Sequence, residues 1–133
     1  MLVDSHCHLN MQQFENNLDD VVTRARNAKI ERIQTICVKL EDLPGLLKIS
    51  DKYEDIYCSV GIHPHEVEKA GTITAENLIA LAKSHPKIIG IGETGLDYYH
   101  CTNDNIATQR KRFAVHIEAA KQTGLPLIIH TRD

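Results

Sequence analysis

The chain has 133 residues, of which 42% are hydrophobic and 25% are charged, a composition typical of a soluble globular protein with one core. Its net charge of −3 argues against nucleic-acid binding through a broad basic surface, but allows an enzyme that holds a few phosphates through metal ions. Asp4 interrupts the apolar N-terminus and no apolar run approaches membrane-spanning length, so neither a signal peptide nor a membrane partner is expected.

The four cysteines are widely spaced and form no C-x-x-C pair. This spacing predicts reduced thiols in a cytoplasmic protein. The residues are Cys7, Cys37, Cys58 and Cys101.

Five short apolar runs rich in β-branched residues predict β-strands. They cover residues 2–9, 30–38, 56–64, 88–97 and 125–133.

Four stretches between these runs have apolar residues at the i, i+3, i+4 spacing of an amphipathic helix. The first apolar stripe extends from residue 18 to residue 28. The second helix is predicted to have Asp42 as its N-cap, and the third to have Thr74 as its N-cap. Gly124 is a typical stop for the fourth. Strands that alternate with helices predict a parallel sheet with right-handed crossovers.

Two α/β architectures fit this order: an open doubly wound sheet, or a partial (β/α)₈ TIM barrel with about five parallel strands and four helices. Polar residues cluster at the carboxyl ends of four of the five predicted strands. In a barrel, catalytic groups from different strands converge at that rim, which favours the barrel. The polar residues are His6, His8, His63, His65, Glu93, Asp97, His130 and Arg132.

The stretch Gly90–Gly95 satisfies G-x-G-x-x-G, the dinucleotide-binding fingerprint. That fingerprint requires the glycines to open a helix directly. Here a polar and aromatic loop follows, and the helical pattern resumes only after Asp104. Glu93 would also place a negative charge beside the pyrophosphate, so dinucleotide binding is not expected.

His6 and His8 lie two residues apart on a predicted strand, so both side chains face the same side. Taken alone, such a pair is equally consistent with ordinary surface or core histidines. Together with Glu93 and His130 it forms a mixed imidazole and carboxylate set, which suits Zn²⁺, Mn²⁺ or Fe²⁺ better than Mg²⁺. Two such ions can activate a bridging water against a phosphodiester, and Arg132 could hold a phosphate oxygen.

Five motifs in order resemble the TatD family of metal-dependent deoxyribonucleases, which belongs to the amidohydrolase-type TIM-barrel hydrolases. The resemblance covers the whole chain. The motifs are DSHCHL (4–9), GIHPHE (61–66), GETGLDYY (92–99), the Q-R-x-x-F-x-x-H-x-x-A run (109–119) and LPLIIHTRD (125–133).

The resemblance implies hydrolysis of nucleic-acid phosphodiesters, as a 3′ exonuclease on DNA with RNA as an alternative, supported by two divalent ions (Zn, Mg or Mn). It assigns Glu93 a catalytic role as the ligand that bridges the ions. It implies metal ligation by His6, His8, Glu93 and His130, and substrate contact by His63, His65 and Arg132.

A full barrel of this type needs roughly 250 residues and eight strands. Residues 1–133 are therefore predicted to be the N-terminal part of a TatD-like barrel domain. The family's remaining histidine ligand and its aspartate, which is the expected general base, fall beyond residue 133; neither Asp97 nor Asp133 lies in the matching position. An unclosed sheet predicts self-association, pairing with a C-terminal segment, or poor solubility, and a weak or inactive isolated chain.

Several other residues have two interpretations. Asp4 could orient one histidine ring or form a buried ion pair. Tyr98 and Tyr99 could stack on a base or pack over the rim. His116 lies on an apolar helix stripe and is expected to be a hydrogen-bonded core histidine, and Cys7 a buried thiol.

Two further functions stay open at this point. The chain could belong to a related barrel hydrolase acting on another ester, amide or small phosphate. It could also be a truncated remnant that no longer catalyses.

Overall fold

The computed structural model describes residues 1–100 and 105–133, so Cys101 and Asp104 lie outside the described residues. Within these residues, five strands alternate with four α-helices, as predicted, and three short 3₁₀ helices lie in the connections. The elements are β1 (Leu2–Cys7), α1 (Leu18–Asn27), β2 (Ile30–Thr35), α2 (Leu43–Lys52), β3 (Ile56–Val60), α3 (Ala75–Lys83), β4 (Ile88–Asp97), α4 (Ile106–Thr123) and β5 (Leu127–Arg132). The 3₁₀ helices are Gln12–Phe14, Leu40–Asp42 and Pro64–Glu66.

All five strands form one parallel sheet in the order β1-β2-β3-β4-β5. An open doubly wound sheet reverses its strand order at a switch point, whereas a (β/α)₈ barrel keeps the strands in sequential order. The sequential order confirms the partial barrel. Gly90–Gly95 lies inside β4 and not at a turn that opens a helix, which excludes the dinucleotide-binding alternative.

Three strands end two to four residues earlier than their apolar runs predict, β1 at Cys7, β2 at Thr35 and β3 at Val60, and β5 ends one residue earlier. Beyond these ends the chain makes isolated backbone hydrogen bonds in place of a regular ladder. His63 N donates to Val38 O at 2.8 Å, and Glu93 N donates to Cys37 O at 3.0 Å. Because the apolar character continues past the last ladder bond, periodicity alone does not mark the strand end. His8 and His63 consequently lie in the segments just after their strands.

The three predicted cap positions agree with the helix ends, but only Thr74 and Gly124 have the expected capping geometry. The Thr74 hydroxyl accepts a hydrogen bond from Asn77 N at 3.2 Å, and the Asn77 side chain accepts one from Thr74 N at 3.1 Å, which forms a capping box. Gly124 ends α4 in the left-handed conformation, with φ of 72°. Asp42 is the N-cap residue of α2, as predicted, but it has helical φ and ψ at the end of a 3₁₀ turn and its side chain makes no capping hydrogen bond. None of the described helices has the length and apolar character that a bilayer crossing requires.

The hydrophobic core lies between the sheet and helices α2, α3 and α4. Leu46, Leu78 and Ala119, one from each helix, pack in one cluster with Ile62 and Ile91 from the sheet side, and all five are fully buried. A smaller cluster lies between α1 and the β1–β2 side of the sheet. The helices therefore cover one face of the sheet, and the carboxyl ends of the strands stay free to form a site.

His116 of α4 is fully buried, which confirms the prediction of a core histidine. Its Nε2 accepts a hydrogen bond from Ile62 N at 3.0 Å, and its Nδ1–H donates to Arg112 O at 2.8 Å. Burial lowers the pKa of His116 to about 4, so the ring is neutral at neutral pH. The hydrogen bond from Ile62 N to the His116 ring thus links α4 to the backbone one residue before His63.

The buried His116 predicts a loss of stability in mild acid. In the unfolded chain its pKa returns to the ordinary value near 6.5, so between pH 6.5 and pH 4 the unfolded state takes up a proton that the folded state does not. The free energy of unfolding should therefore fall as the pH drops through this window, by about 3 kcal/mol from this residue. A His116→Gln variant can keep both hydrogen bonds but does not titrate, and should lose less stability between pH 7 and pH 4.5 in urea unfolding. Equal losses in both proteins would contradict this account.

The outer edges of β1 and β5 are open. Leu2 and Val3 of β1 are 57% and 56% exposed, and Ile129 of β5 is 54% exposed. Exposed apolar residues on unpaired parallel edge strands favour addition of further strands. The expectation of self-association, or of pairing with a C-terminal segment, stays a prediction that light scattering on the purified chain can test.

Candidate metal centre

Four strands and the segments that follow them bring five side chains together, which we call the central cluster. They are His6 at the end of β1, His8 just after it, His63 after β3, Glu93 in β4 and His130 in β5. These strands run parallel in one sheet, so residues distant in sequence meet at its carboxyl rim. Four of these five residues are the predicted metal ligands.

Glu93 lies at the centre of this cluster and is 7% exposed. Its two carboxylate oxygens face different histidines: Oε2 lies 3.5 Å from His6 Nε2, and Oε1 lies 3.2 Å from His130 Nδ1. Two groups with ligand atoms within 4.8 Å of one another share this carboxylate. They are His6, His8 and Glu93, and His63, Glu93 and His130. A carboxylate placed in this way can bind one ion with each oxygen.

The hydrogen bonds of His130 indicate what its ring can bind. Its Nε2 lies 2.9 Å from Asp97 Oδ2, and a carboxylate without a proton can only accept, so this nitrogen carries the hydrogen. In the neutral ring Nδ1 then has a lone pair, and this lone pair faces Glu93 Oε1 at 3.2 Å. Two lone pairs at this distance repel unless a cation, either a proton or a metal ion, lies between them.

The donor set therefore fits a divalent metal ion. Imidazole nitrogens combined with a carboxylate are typical of zinc, manganese and iron sites. The contact between Asp97 and the distal nitrogen of His130 has the form seen where a carboxylate orients a metal-binding histidine. Residues able to hold a metal are His6, His8, Glu93 and His130.

His63 is brought closer to the cluster than the sequence predicts. It is 8% exposed, and burial together with the neighbouring His130 lowers its pKa to about 4, so its ring is neutral. Its Nδ1 accepts a hydrogen bond from His65 N at 3.1 Å, so the ring hydrogen lies on Nε2. In this tautomer His63 can donate a hydrogen bond into the cluster through Nε2–H.

Asp97 was predicted to lie at the rim but was assigned no role in the site, and the structure places it beside the cluster. It is fully buried at the end of β4, four residues after Glu93 and thus on the same strand face. Its Oδ2 lies 2.7 Å from His65 Nε2 and 2.9 Å from His130 Nε2. Burial tends to raise its pKa, but hydrogen bonds from His100 N and from the histidine rings outweigh burial and hold the pKa below its usual range. The signal in the sequence for a role of Asp97 was its distance of four residues from Glu93, which places both side chains on one face of a strand.

Three other predicted residues lie outside the central cluster. Arg132 is exposed at the end of β5, with its guanidinium 4.7 Å from the centre of the Tyr99 ring. Asp4 Oδ1 accepts a hydrogen bond from the backbone N of His6 at 3.1 Å. This contact stabilises the backbone of β1 and does not orient a histidine ring. His65 lies at the edge of the cluster: its ring centre is 4.7 Å from that of His63, and its Nε2 is hydrogen-bonded to Asp97.

Cys7 takes no part in the candidate metal groups of the described residues, but it is half-buried and not the fully buried thiol that was predicted. Its Sγ lies 3.6 Å from Gln34 O, and burial raises its pKa to about 12. Cys37 and Cys58 are free thiols that are fully buried. A thiol with so high a pKa is a poor metal ligand, because the thiolate is the form that binds metal.

The TatD-related DNase family profile matches residues 3–133. The chain belongs to the TatD-related DNase family. This agrees with the resemblance carried by the motifs, and the TatD match includes every residue of the central cluster.

Several TatD relatives have names that describe a metal-dependent hydrolase or a nuclease. YabD of Bacillus subtilis, named an uncharacterized metal-dependent hydrolase, is 36% identical over 135 residues, which cover 100% of this chain and 51% of the relative. The mouse protein TATDN3, which carries the name of a proposed deoxyribonuclease, is 31% identical over 143 residues, 99% of this chain and 49% of the relative. The chain thus spans about half the length of the curated relatives it matches.

Two solved TatD structures share the fold. The crystal structure of YjjV from Escherichia coli matches with a TM-score of 0.87 and 28% identity, over 98% of this chain and 51% of that chain. A TatD-family hydrolase from Entamoeba histolytica matches with a TM-score of 0.85 at 22% identity, over 99% of this chain and 50% of that chain. Because the identity to the Entamoeba histolytica protein is only 22%, that match supports a shared fold and no statement about function.

Proposed function

We propose that this chain supplies part of a two-ion centre that hydrolyses phosphodiester bonds of nucleic acids, with DNA as the expected substrate and 3′ exonuclease cleavage as the expected mode. The observation that carries the proposal is the position of Glu93, whose two oxygens face histidines from two different strands. The family's name as a DNase and the names of the relatives as metal-dependent hydrolases support the reaction class.

The ligand assignment that we propose follows from the two groups of potential ligands that both contain Glu93. His6 and His8 would hold one ion and His130 the other, and Glu93 would bridge them. When bound, two divalent ions would lower the pKa of a water between them and stabilise the attacking and leaving oxygens of a phosphodiester. Asp97 would keep the hydrogen of His130 on Nε2 and so leave Nδ1 free for the ion.

The proposed substrate contacts lie around this centre. His63 can donate from Nε2 to a phosphate oxygen, because its Nδ1 is occupied as an acceptor. Arg132 is exposed on the rim and can form paired hydrogen bonds to a phosphate. Tyr99, which is 65% exposed under the Arg132 guanidinium, can stack on a base. We assign no residue between 1 and 133 the role of general base.

The proposal can be tested with two proteins and one substrate panel. The first protein is the 133-residue chain, and the second is this chain joined to the C-terminal half of the Bacillus subtilis relative. Both are assayed with Zn²⁺, Mn²⁺ or Mg²⁺ on 3′-labelled single-stranded DNA, on the same RNA sequence, and on a carboxyl ester and an amide. Circular dichroism verifies that both proteins are folded.

Metal-dependent release of the 3′ label by the joined protein, but not by the chain, is the expected result. Cleavage by the chain alone would mean that this part of the centre is sufficient, or is completed by a second copy. Hydrolysis of only the ester or the amide would overturn the nuclease proposal in favour of a related barrel hydrolase. No hydrolysis by either folded protein would overturn the enzyme proposal and favour a non-catalytic remnant.

A further inference from the structure

A second group of potential ligands lies on the rim beside the central cluster. It consists of His65, Asp97 and His100, which we call the rim cluster. One ligand atom from each of these residues lies within 4.8 Å of the others. They come from the 3₁₀ turn after β3, from the end of β4 and from the loop after β4, so three separate segments converge on this point.

Asp97 is the unusual member of the rim cluster, because it is a fully buried carboxylate whose side-chain contacts are to imidazole rings. Its Oδ1 also accepts a hydrogen bond from His100 N at 3.0 Å. A buried carboxylate requires a nearby positive charge or several hydrogen bonds to offset the cost of desolvation. The imidazole rings and His100 N supply the hydrogen bonds. A bound cation would supply that charge.

We propose that the rim cluster binds a divalent metal ion of the zinc type, separate from the two ions of the central cluster. His65 Nε2, His100 Nδ1 and one oxygen of Asp97 are the ligands. Two imidazoles and one carboxylate form a ligand set that zinc uses in sites that keep an open position for water or substrate. The side chains of His65 and His100 are each 41% exposed, so an ion from solvent can reach them.

The distances are compatible with one ion after small movements. Ligand atoms about 2.1 Å from a tetrahedral ion lie about 3.4 Å apart. His100 Nδ1 is 3.3 Å from both Asp97 oxygens, and His65 Nε2 is 2.7 Å from Asp97 Oδ2. Only the second pair has to separate, by less than 1 Å, as its hydrogen bond is replaced by metal ligation. The ring hydrogen of His65 moves from Nε2 to Nδ1 and that of His100 moves from Nδ1 to Nε2, so both rings stay neutral and no proton is lost.

The hydrogen bond from His130 Nε2 to Asp97 Oδ2 can persist beside such an ion, because a carboxylate has about four lone-pair directions. Asp97 would then connect the rim ion to the ring that faces Glu93. The open coordination positions would receive a phosphate oxygen of a bound strand, and His65 would contact substrate through the ion. This last step rests on the proposed nuclease function, whereas binding of the ion does not.

Metal stoichiometry tests the proposal independently of catalysis. The purified 133-residue chain, His100→Ala and Glu93→Ala are titrated with Zn²⁺ by calorimetry and, after dialysis, their bound zinc is measured by elemental analysis. His100→Ala should bind about one ion fewer than the unchanged chain and keep the ions of the central cluster. Glu93→Ala should lose the central ions and keep the rim ion, so failure of one site is distinguished from failure of the other.

His85→Ala is the matched control, because His85 Nε2 also lies 3.1 Å from a carboxylate, that of Asp51, but this pair has no third ligand in the described residues. It should bind as much zinc as the unchanged chain. His65→Ala serves as a second variant and should lose the same ion as His100→Ala, with unchanged circular dichroism. Full zinc content in either folded rim variant would overturn the proposal and leave Asp97 as a carboxylate held only by hydrogen bonds.

Discussion

Replacing Glu93 with glutamine is expected to lower the Zn²⁺ affinity of the central cluster by more than about 100-fold, since loss of residues that merely support a metal ligand already costs 10–100-fold. Glutamine has nearly the same shape, but its amide is uncharged and only its oxygen can bind a cation. Both candidate ligand groups of the central cluster contain this carboxylate, so both should weaken together. Calorimetric titration with Zn²⁺ measures the affinities.

The stability of Glu93→Gln should change in the opposite direction to its metal affinity. In the metal-free chain, Glu93 Oε1 faces His130 Nδ1 at 3.2 Å in an environment that is 7% exposed. An uncharged amide that can donate to this nitrogen removes the desolvation cost of the carboxylate, so the variant should unfold at an equal or higher urea concentration without metal. Glu68→Gln, at an exposed position of the same residue type, controls for charge and should change neither property. Zinc binding by Glu93→Gln with unchanged affinity would show that Glu93 does not bridge the ions.

Much of the fold could be predicted because each helix and strand carries its own local signal. Apolar spacing marked the four helices, and Thr74 and Gly124 marked two of their ends through hydrogen bonding and backbone conformation. Asp42 lies at the predicted N-cap position but its side chain makes no capping hydrogen bond, because a 3₁₀ turn precedes α2 and leaves this residue with helical dihedral angles instead of extended ones. Whether a residue is preceded by such a turn depends on packing, which the local sequence does not encode.

The site could be predicted in part for a similar reason. The His6 and His8 pair and Glu93 were recognisable because strand periodicity places them at the carboxyl rim. The roles of Asp97 and His100 depend on contacts between segments, such as the 2.7 Å approach of His65 to Asp97 across 32 positions of the chain. Which nitrogen of His63 or His130 carries the hydrogen also depends on a partner, in one case a backbone N–H and in the other a carboxylate. Such partners are known only once the chain is folded.

Gly95→Ala is expected to destabilise the chain by at least about 3 kcal/mol, among the largest effects of a single methyl group. Gly95 lies in β4 with φ of 139°, a conformation that residues with a Cβ rarely adopt. A Cβ built at this position would lie 2.1 Å from the carbonyl oxygen of His130, its partner in the β4–β5 pairing. The added methyl group must therefore push β5 away from β4. Urea unfolding of the variant and the unchanged chain measures the loss.

Displacement of β5 should also change the geometry of the metal centre. His130 is both the pairing partner of Gly95 and the histidine that faces Glu93. Zinc affinity should therefore fall even under conditions in which Gly95→Ala stays folded. Gly45→Ala is the matched control: a Cβ there meets nothing within 4 Å, and alanine favours the helix α2 by up to about 1 kcal/mol. The two variants add the same atom to the chain, so opposite changes in stability would trace the effect to the contact with His130. If Gly95→Ala were as stable as the unchanged chain, β4 and β5 could not be paired as closely as the structure places them, and the 3.2 Å approach of His130 to Glu93 would lose its support.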